Sequence, residues 1–204
     1  MEDVLDVYHR PYDPEVPVVC FDECSKQLLK HVRTPLPTRR GCVARVDDEY
    51  KRCGTVNIFC AVEPLTGHVI WEVTDHRGTL DCGAFLRRIA DEYPEASRIV
   101  LVSDNLNTHT PAALYATFAP EQAHELRKRF EFHHTPKHAS WLNVAEIELS
   151  IMTRQCLDQR IESKEHVQQL VNAWDLRRDE GTINWQFTTE DARIKLRRLY
   201  PSVQ

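Results

Sequence analysis

Two short, uninterrupted apolar runs set the terms for what this chain can fold into. Val18-Val19-Cys20-Phe21 leads into Asp22-Glu23, and Ile99-Val100-Leu101-Val102, followed by Ser103, leads into Asp104. Apolar runs of this length without alternation read as strands buried on both faces. Such strands require a sheet with a layer of structure on either side. The first strand is expected over Val16–Phe21, with Pro17 near its start, and the second over Arg98–Ser103.

The rest of the chain supplies the layers. Residues 24–53 are polar and basic, carry Pro35, Pro37 and Gly41, and read as a long connection. Thr55–Val62 and His68–Val73 read as strands of a hairpin around the turn Pro64-Leu65-Thr66-Gly67. Thr79–Tyr93 has a helical stripe of Leu80, Phe85, Leu86 and Ile89. Thr110-Pro111 opens a helix, since proline suits the first helical position. A second helical stretch runs from Pro120 to about Arg129, and Phe130–His134 reads as a short fifth strand. After a loop over Thr135–Ser140, a helix is expected from about Trp141 to Leu157. Ser163 caps a further helix carrying Val167, Leu170, Val171 and Trp174, and Thr188 with Asp191 forms a capping box before the last one. This order predicts an α/β fold, a mixed sheet flanked by helices.

Composition narrows the function classes. The apolar runs are too short to span a membrane, and the Met1-Glu2-Asp3 start has neither the basic nor the apolar region of a secretory signal. A cytoplasmic location is therefore expected. The seven cysteines form no CxxC pair and read as buried thiols. The net charge of −5 argues by itself against a strong nucleic-acid binder. The basic residues are unevenly spread, however. Lys26, Lys30, Arg33, Arg39, Arg40, Arg45, Lys51 and Arg52 crowd one segment, and Arg193, Lys195, Arg197 and Arg198 another. Either group suits phosphate contact or a solvated surface.

Asp22 and Asp104 each follow a buried strand, where polar side chains gather in a layered sheet. Each alone is equally compatible with starting a turn or capping a helix. Together, on adjacent strands, they could share a hard cation such as Mg²⁺, which takes oxygen ligands. The third carboxylate is Glu146 or Glu148. On a helix, Leu142, Ala145, Leu149, Met152 and Cys156 fall on one side and Val144, Ile147 and Ile151 on another. Asn143, Glu146, Ser150 and Thr153 form a polar strip between them, and Glu148 points elsewhere, beside Trp141. A carboxylate in that strip needs a partner, either a metal or a salt bridge to Arg154 or Lys137. His133, His134 and His138 do not suit zinc, because Pro136 breaks any helix that would align His134 with His138 and no cysteine stands nearby at ligand spacing.

Three segments carry a resemblance. Val19-Cys20-Phe21-Asp22-Glu23, Asp104-Asn105-Leu106-Asn107-Thr108-His109, and Thr135-Pro136-Lys137-His138-Ala139-Ser140-Trp141-Leu142-Asn143-Val144-Ala145-Glu146 together resemble bacterial insertion-sequence transposases of the mariner-related group. These are DDE-superfamily endonucleases with a ribonuclease-H-like, retroviral-integrase-like fold. The tail Ile183-Asn184-Trp185-Gln186-Phe187-Thr188-Thr189 is similar too, so the likeness runs from about residue 1 to 200. The separation of Asp104 from Glu146 is longer than is usual for mariner relatives, and the extra length falls in the Pro120–Arg129 helix.

The resemblance implies a five-stranded catalytic domain over 1–158 and a helical extension packed on it over 159–204. It makes Asp22, Asp104 and Glu146 catalytic metal ligands for two Mg²⁺ or Mn²⁺ ions. Asn105, Asn107, His109, Lys137, His138 and Asn143 would support the ligands or touch DNA. It implies cleavage of DNA at element ends, strand transfer into a target, and a homodimer in synapsis. Relatives carry an upstream helix-turn-helix domain. With the first core strand near residue 16, none is expected here, so an upstream polypeptide would read the element ends. The competing readings are another nuclease of the same fold, against which the TPKHASWLN segment counts, and a remnant that only binds DNA or a partner.

Overall fold

The two apolar runs lie side by side. In the computed structural model, which describes residues 1–137, 139–178 and 181–200, β1 (Val18–His31) and β4 (Ile99–Ser103) pair in parallel, Phe21 opposite Ser103. β2 (Tyr50–Val62) pairs antiparallel with β1, and β3 (Val69–Thr74) antiparallel with β2. β5 (Phe130–His134) runs parallel to β4. The sheet order is β3-β2-β1-β4-β5, a mixed five-stranded sheet with helices on both faces, as the sequence predicted.

Strand alternation sorts the side chains into two layers. Val19, Phe21, Phe59 and Leu101 face α2 (Thr79–Glu92), α3 (Ala112–Thr117) and α4 (Pro120–Lys128), where Phe85, Leu86, Ala113 and Leu114 meet them. Cys20, Ile58, Val100 and Val102 face the other way, into a core shared with α1 (Glu2–Tyr8) and α5 (Val144–Met152). α1 was not anticipated. It is a seven-residue helix that buries Val4, Leu5, Val7 and Tyr8, too short to show a repeating stripe.

β1 does not stop at Asp22. It continues to His31, and β2 begins at Tyr50, so the connection expected over 24–53 shrinks to 32–49. The two strands form a long antiparallel arm, with a register shift between Gln27 and Leu29 and Gly54 at φ 110° on the opposing strand. The β2 side of the arm is exposed from Tyr50 to Thr55, while β1 from Glu23 to His31 is mostly half-buried and Leu28 is buried. Backbone pairing sustains it with no apolar alternation, which is why the pattern was not visible in the sequence. Lys26 Nζ donates to the Leu157 and Gln159 carbonyls at 2.5 and 3.0 Å, and Leu29 N donates to Ile161 O at 2.7 Å, tying the arm's base to the chain after α5.

Other departures are local. Leu80, assigned to the buried stripe of α2, is 60% exposed, and Cys82 takes its place in the core. Cys42, in the 32–49 connection, and Cys53, on β2, are exposed, whereas Cys20, Cys60, Cys82 and Cys156 are buried thiols. The helix expected from Trp141 breaks into a 3₁₀ turn over Ser140–Leu142, then α5, then a π-helical turn over Thr153–Leu157. No described helix is long and apolar enough to cross a membrane.

The C-terminal segment contributes to the same core. α6 (Lys164–Asp175) is capped by Ser163 Oγ, which accepts from His166 N, and buries Val167 and Val171. Trp174 meets Trp71 of β3 edge to face, and Trp71 Nε1 donates to Asp175 Oδ1 at 3.0 Å. α7 (Thr189–Lys195) starts with the Thr188–Asp191 capping box and adds Ala192 to the core. Val171→Ala should therefore destabilise the whole protein by about 2 kcal/mol, measured by urea unfolding followed at the tryptophans. An unchanged midpoint would mean that α6 is not part of the cooperative unit.

Candidate active site

The site is built where β1 and β4 run parallel. Asp22 follows Phe21, and Asp104 follows its partner Ser103, so the pairing register alone sets the two aspartates beside each other. Asp22 leaves the sheet on the α5 side, between Cys20 and Cys24. Asn143 joins it to the third carboxylate. The fully buried Asn143 side chain accepts from Ala145 N at 3.2 Å, capping α5, and donates to Phe21 O at 2.9 Å and to Asp22 Oδ2 at 3.2 Å. Three residues into the capped helix, Glu146 faces the same opening. Asp22, Asp104 and Glu146 line one open cleft of about 430 Å³, together with Glu23, Arg77 and Arg154.

The helix phase needs a partial correction. Ile147, assigned to a second buried stripe, is exposed, and Ile151 is half-buried. The buried carboxylate on α5 is Glu148, which stands 3.5 Å from Arg178; both side chains are 9% exposed. Arg178 also donates to Asp175 Oδ1 at 3.0 Å. The residue that answers the demand for an internal ion pair is thus Glu148. Glu146 is only half-buried and, among the described residues, has no salt bridge to Arg154 or Lys137.

The electrostatics of the cleft are those of crowded acids. Burial pushes Asp22 up to about 7, and the nearby Glu23, Asp104 and Glu146 charges add to the rise. Burial also raises Glu146, against a hydrogen bond from Ser140, with Asp104 adding to the rise. Asp104 goes the other way. Its partial burial is outweighed by a hydrogen bond from His109, so it stays below the usual carboxylate range. Burial disfavours a charged His109, but its bonds to Asp104 and Glu23 overcome this and raise it to about 9.

An all-oxygen donor set in which Asp22 and Glu146 are raised by burial and by neighbouring acids suits a hard divalent cation, which would offset the repulsion. Among the described residues, no three acidic, histidine or cysteine side chains already stand as a closed ligand cluster. The three carboxylates share one cleft. Asp22, Asp104 and Glu146 are the residues that could hold such an ion.

The supporting residues divide. Asn143 and His109 touch the carboxylates directly. Asn105 and Lys137 line a smaller cleft that adjoins Asp104. Asn107 is exposed, and its carbonyl accepts from Thr110 Oγ1 at 3.4 Å. His138 lies outside the described residues. His133 bridges Asp3 and Glu131 at 2.8 Å each, on another part of the surface. Glu23 and Arg77 were missed. Glu23 sits beside Asp22 in sequence, but strand alternation sends it to the opposite face, and only the folded loop carrying His109 returns it to the site.

Residues 17–168 match the protein family described as DDE superfamily endonuclease. The chain belongs to the DDE superfamily of endonucleases. Among solved structures, this endonuclease is similar to the Mos1 mariner paired-end complex with Mn, at 18% identity and a TM-score of 0.56, over 87% of this chain and 53% of that one. It is similar to a pre-cleavage Mos1 transpososome at 17% identity and a TM-score of 0.57, over 87% and 53% of the two chains. For the Mos1 strand transfer complex the values are 16% and 0.56, over 80% and 48%. The DDE chain thus spans about half the length of these proteins and shares their ribonuclease-H-like fold. No curated protein matches it in sequence.

The contrast between the two glutamates of α5 is directly testable. Glu148→Gln should lower stability by about 1–3 kcal/mol by leaving Arg178 short of a partner, with little change in Mn²⁺ affinity. Glu146→Gln should leave unfolding nearly unchanged and weaken Mn²⁺ binding. Calorimetric titration beside chemical denaturation reads both, and the reverse outcome would mean that the two side chains had been assigned to each other's roles.

Proposed function

We propose that this DDE endonuclease is the catalytic domain of a transposase, cleaving DNA at element ends and joining those ends to a target. The observation that carries this reading is the meeting of Asp22, Asp104 and Glu146, from β1, the end of β4 and α5, in one open cleft. An open cleft admits a duplex backbone, which an enclosed pocket would not. The Mos1 structures, described as paired-end and strand transfer complexes, support the reading.

In this reading Asp22, Asp104 and Glu146 would hold Mg²⁺ or Mn²⁺, two ions, whose positive charge would supply Lewis-acid chemistry for phosphoryl transfer. Asn143 keeps the Asp22 carboxylate turned to the cleft while capping the helix that carries Glu146. The His109 imidazolium holds Asp104 in its ionised form, ready to act as an anionic ligand. Asn105 and Lys137, at the adjoining cleft, offer an amide and a positive charge to the DNA backbone. Attack in line on phosphorus forms one P–O bond as the opposite one breaks, with water as nucleophile in cleavage and a 3′-hydroxyl in joining. The chain's part is positioning and charge. A homodimer would bring two ends together, and an upstream helix-turn-helix polypeptide would read their sequence.

Several basic residues are already engaged within the chain. Lys30 pairs with Glu162, Arg33 with Asp47, Arg193 with Glu2 and Lys195 with Asp191. DNA binding by the chain alone should therefore be weak, sensitive to salt and indifferent to sequence. Competition between element-end and scrambled DNA measures this, and a preference of about a thousandfold would reveal a sequence reader within the chain.

Nicking of supercoiled plasmid with Mn²⁺ tests the activity. Wild type should cleave, and Asp104→Asn and Glu146→Gln should not; equal cleavage by these variants, or binding without cleavage by wild type, would sink the proposal. The raised Asp22 adds a pH signature. Below about pH 7 a proton competes with the cation for its carboxylate, so apparent Mn²⁺ affinity should rise about tenfold between pH 6 and pH 8. A flat profile in calorimetric titration would show that Asp22 is not a ligand.

A further inference from the structure

Glu23 and His109 form a buried pair that the reading above leaves largely unused. Glu23 departs from β1 on the face opposite Asp22, into the layer under α2 and α3. There its Oε2 stands 2.7 Å from His109 Nε2, while His109 Nδ1 stands 2.5 Å from Asp104 Oδ1. The histidine and glutamate side chains are 1% and 3% exposed. Phe21 packs against the imidazole with ring centroids 4.5 Å apart, and the exposed Arg77 closes the other side of Glu23 at 3.7 Å from Oε1.

We infer that Glu23 is a positioning residue for the endonuclease reaction, fixing the orientation of the Asp104 carboxylate through His109. The three carboxylates differ in what holds them. Asp22 lies within a paired strand, with Asn143 and Glu23 N bonded to its oxygens. Glu146 rides on a capped helix. Asp104 lies just beyond the last residue of β4, in a loop. Besides Leu106 N at 3.2 Å from Oδ1, its support is the imidazole. A histidine bonded through one nitrogen can still swing about its side-chain torsions. Bonded through both, and packed against the tilted Phe21 ring, it is locked, and Glu23 supplies the second bond. A carboxylate that orients an imidazole, which in turn orients a ligand, transmits geometry from the paired middle of β1 to the loop after β4. The inference rests on the proposed role of Asp22, Asp104 and Glu146 as metal ligands.

The test uses the full chain with Glu23→Gln, Glu23→Asp, His109→Asn and the double variant Glu23→Gln/His109→Asn. Mn²⁺ affinity by calorimetry and single-turnover plasmid nicking are read beside thermal unfolding. Glu23→Gln should weaken Mn²⁺ binding about tenfold or more and slow the nicking step, with the DNA concentration for half-maximal rate little changed. Glu23→Asp keeps the charge but shortens the reach, and should also weaken Mn²⁺ binding, because position is what matters. The double variant should bind Mn²⁺ no more weakly than His109→Asn alone, since Glu23 acts only through the histidine. Wild-type Mn²⁺ affinity in folded Glu23→Gln or Glu23→Asp would overturn the inference, as would losses that multiply in the double variant. If wild type itself binds no Mn²⁺, the metal-ligand reading falls and this inference with it.

Discussion

The side chain of Asn143 is the joint on which the site turns. With no exposure to solvent, it must place every hydrogen-bonding group it has, and it does so on two elements at once: the α5 backbone at Ala145, and β1 at Phe21 O and Asp22 Oδ2. Those bonds fix where the helix begins, and so its phase. Glu146 then has to face the cleft, and Glu148, two residues on, has to face Arg178 in the interior. An alanine here would leave Ala145 N uncapped and Asp22 free to turn, disturbing two carboxylates of the cleft through one missing amide.

Much of this was legible in the sequence. The paired apolar runs marked β1 and β4, and the aspartate that follows each lines the cleft where the two strands run parallel. The capping residues Ser163 and Thr188 gave the starts of α6 and α7. What the sequence hid has a common physical cause. The β1–β2 arm is exposed along β2 and mostly half-buried along β1, and it carries no apolar period. Backbone pairing holds it together, and backbone pairing leaves no mark on composition. The helical period over 142–156 set Glu146 apart from Glu148, as the cleft lining does, but overstated the burial of Ile147, because a period finds an apolar face without saying whether anything covers it. Glu23 was hidden by its own strand. Alternation correctly sends it away from Asp22, and its return through His109 depends on a loop whose path no local pattern encodes.

The site also shows why acids are so unevenly supported here. Gathering carboxylates costs free energy wherever they lack a counter-charge. Glu148 meets that cost with Arg178, and Asp104 with His109. Asp22 has a neutral amide and a backbone N–H, and it is Asp22 that is pushed furthest from its ordinary range. The uncompensated acid is the one deepest in the cleft, where an incoming cation would gain most.

The sheet order bears on how the chain acquires any activity at all. β1, β2 and β3 are consecutive and pair as a meander, so they can form early from local contacts. β1 meets β4 only across a long detour through α2, with Phe21 and Ser103 about 80 positions apart, and pairings of such separation form late because the intervening chain must first be ordered. Glu146 lies further along again. A ribosome-bound chain that has emerged only through β3 holds Asp22 without either companion. The three carboxylates come to share one cleft only once β4 and α5 have both docked on β1, so no early fragment of the chain carries the arrangement.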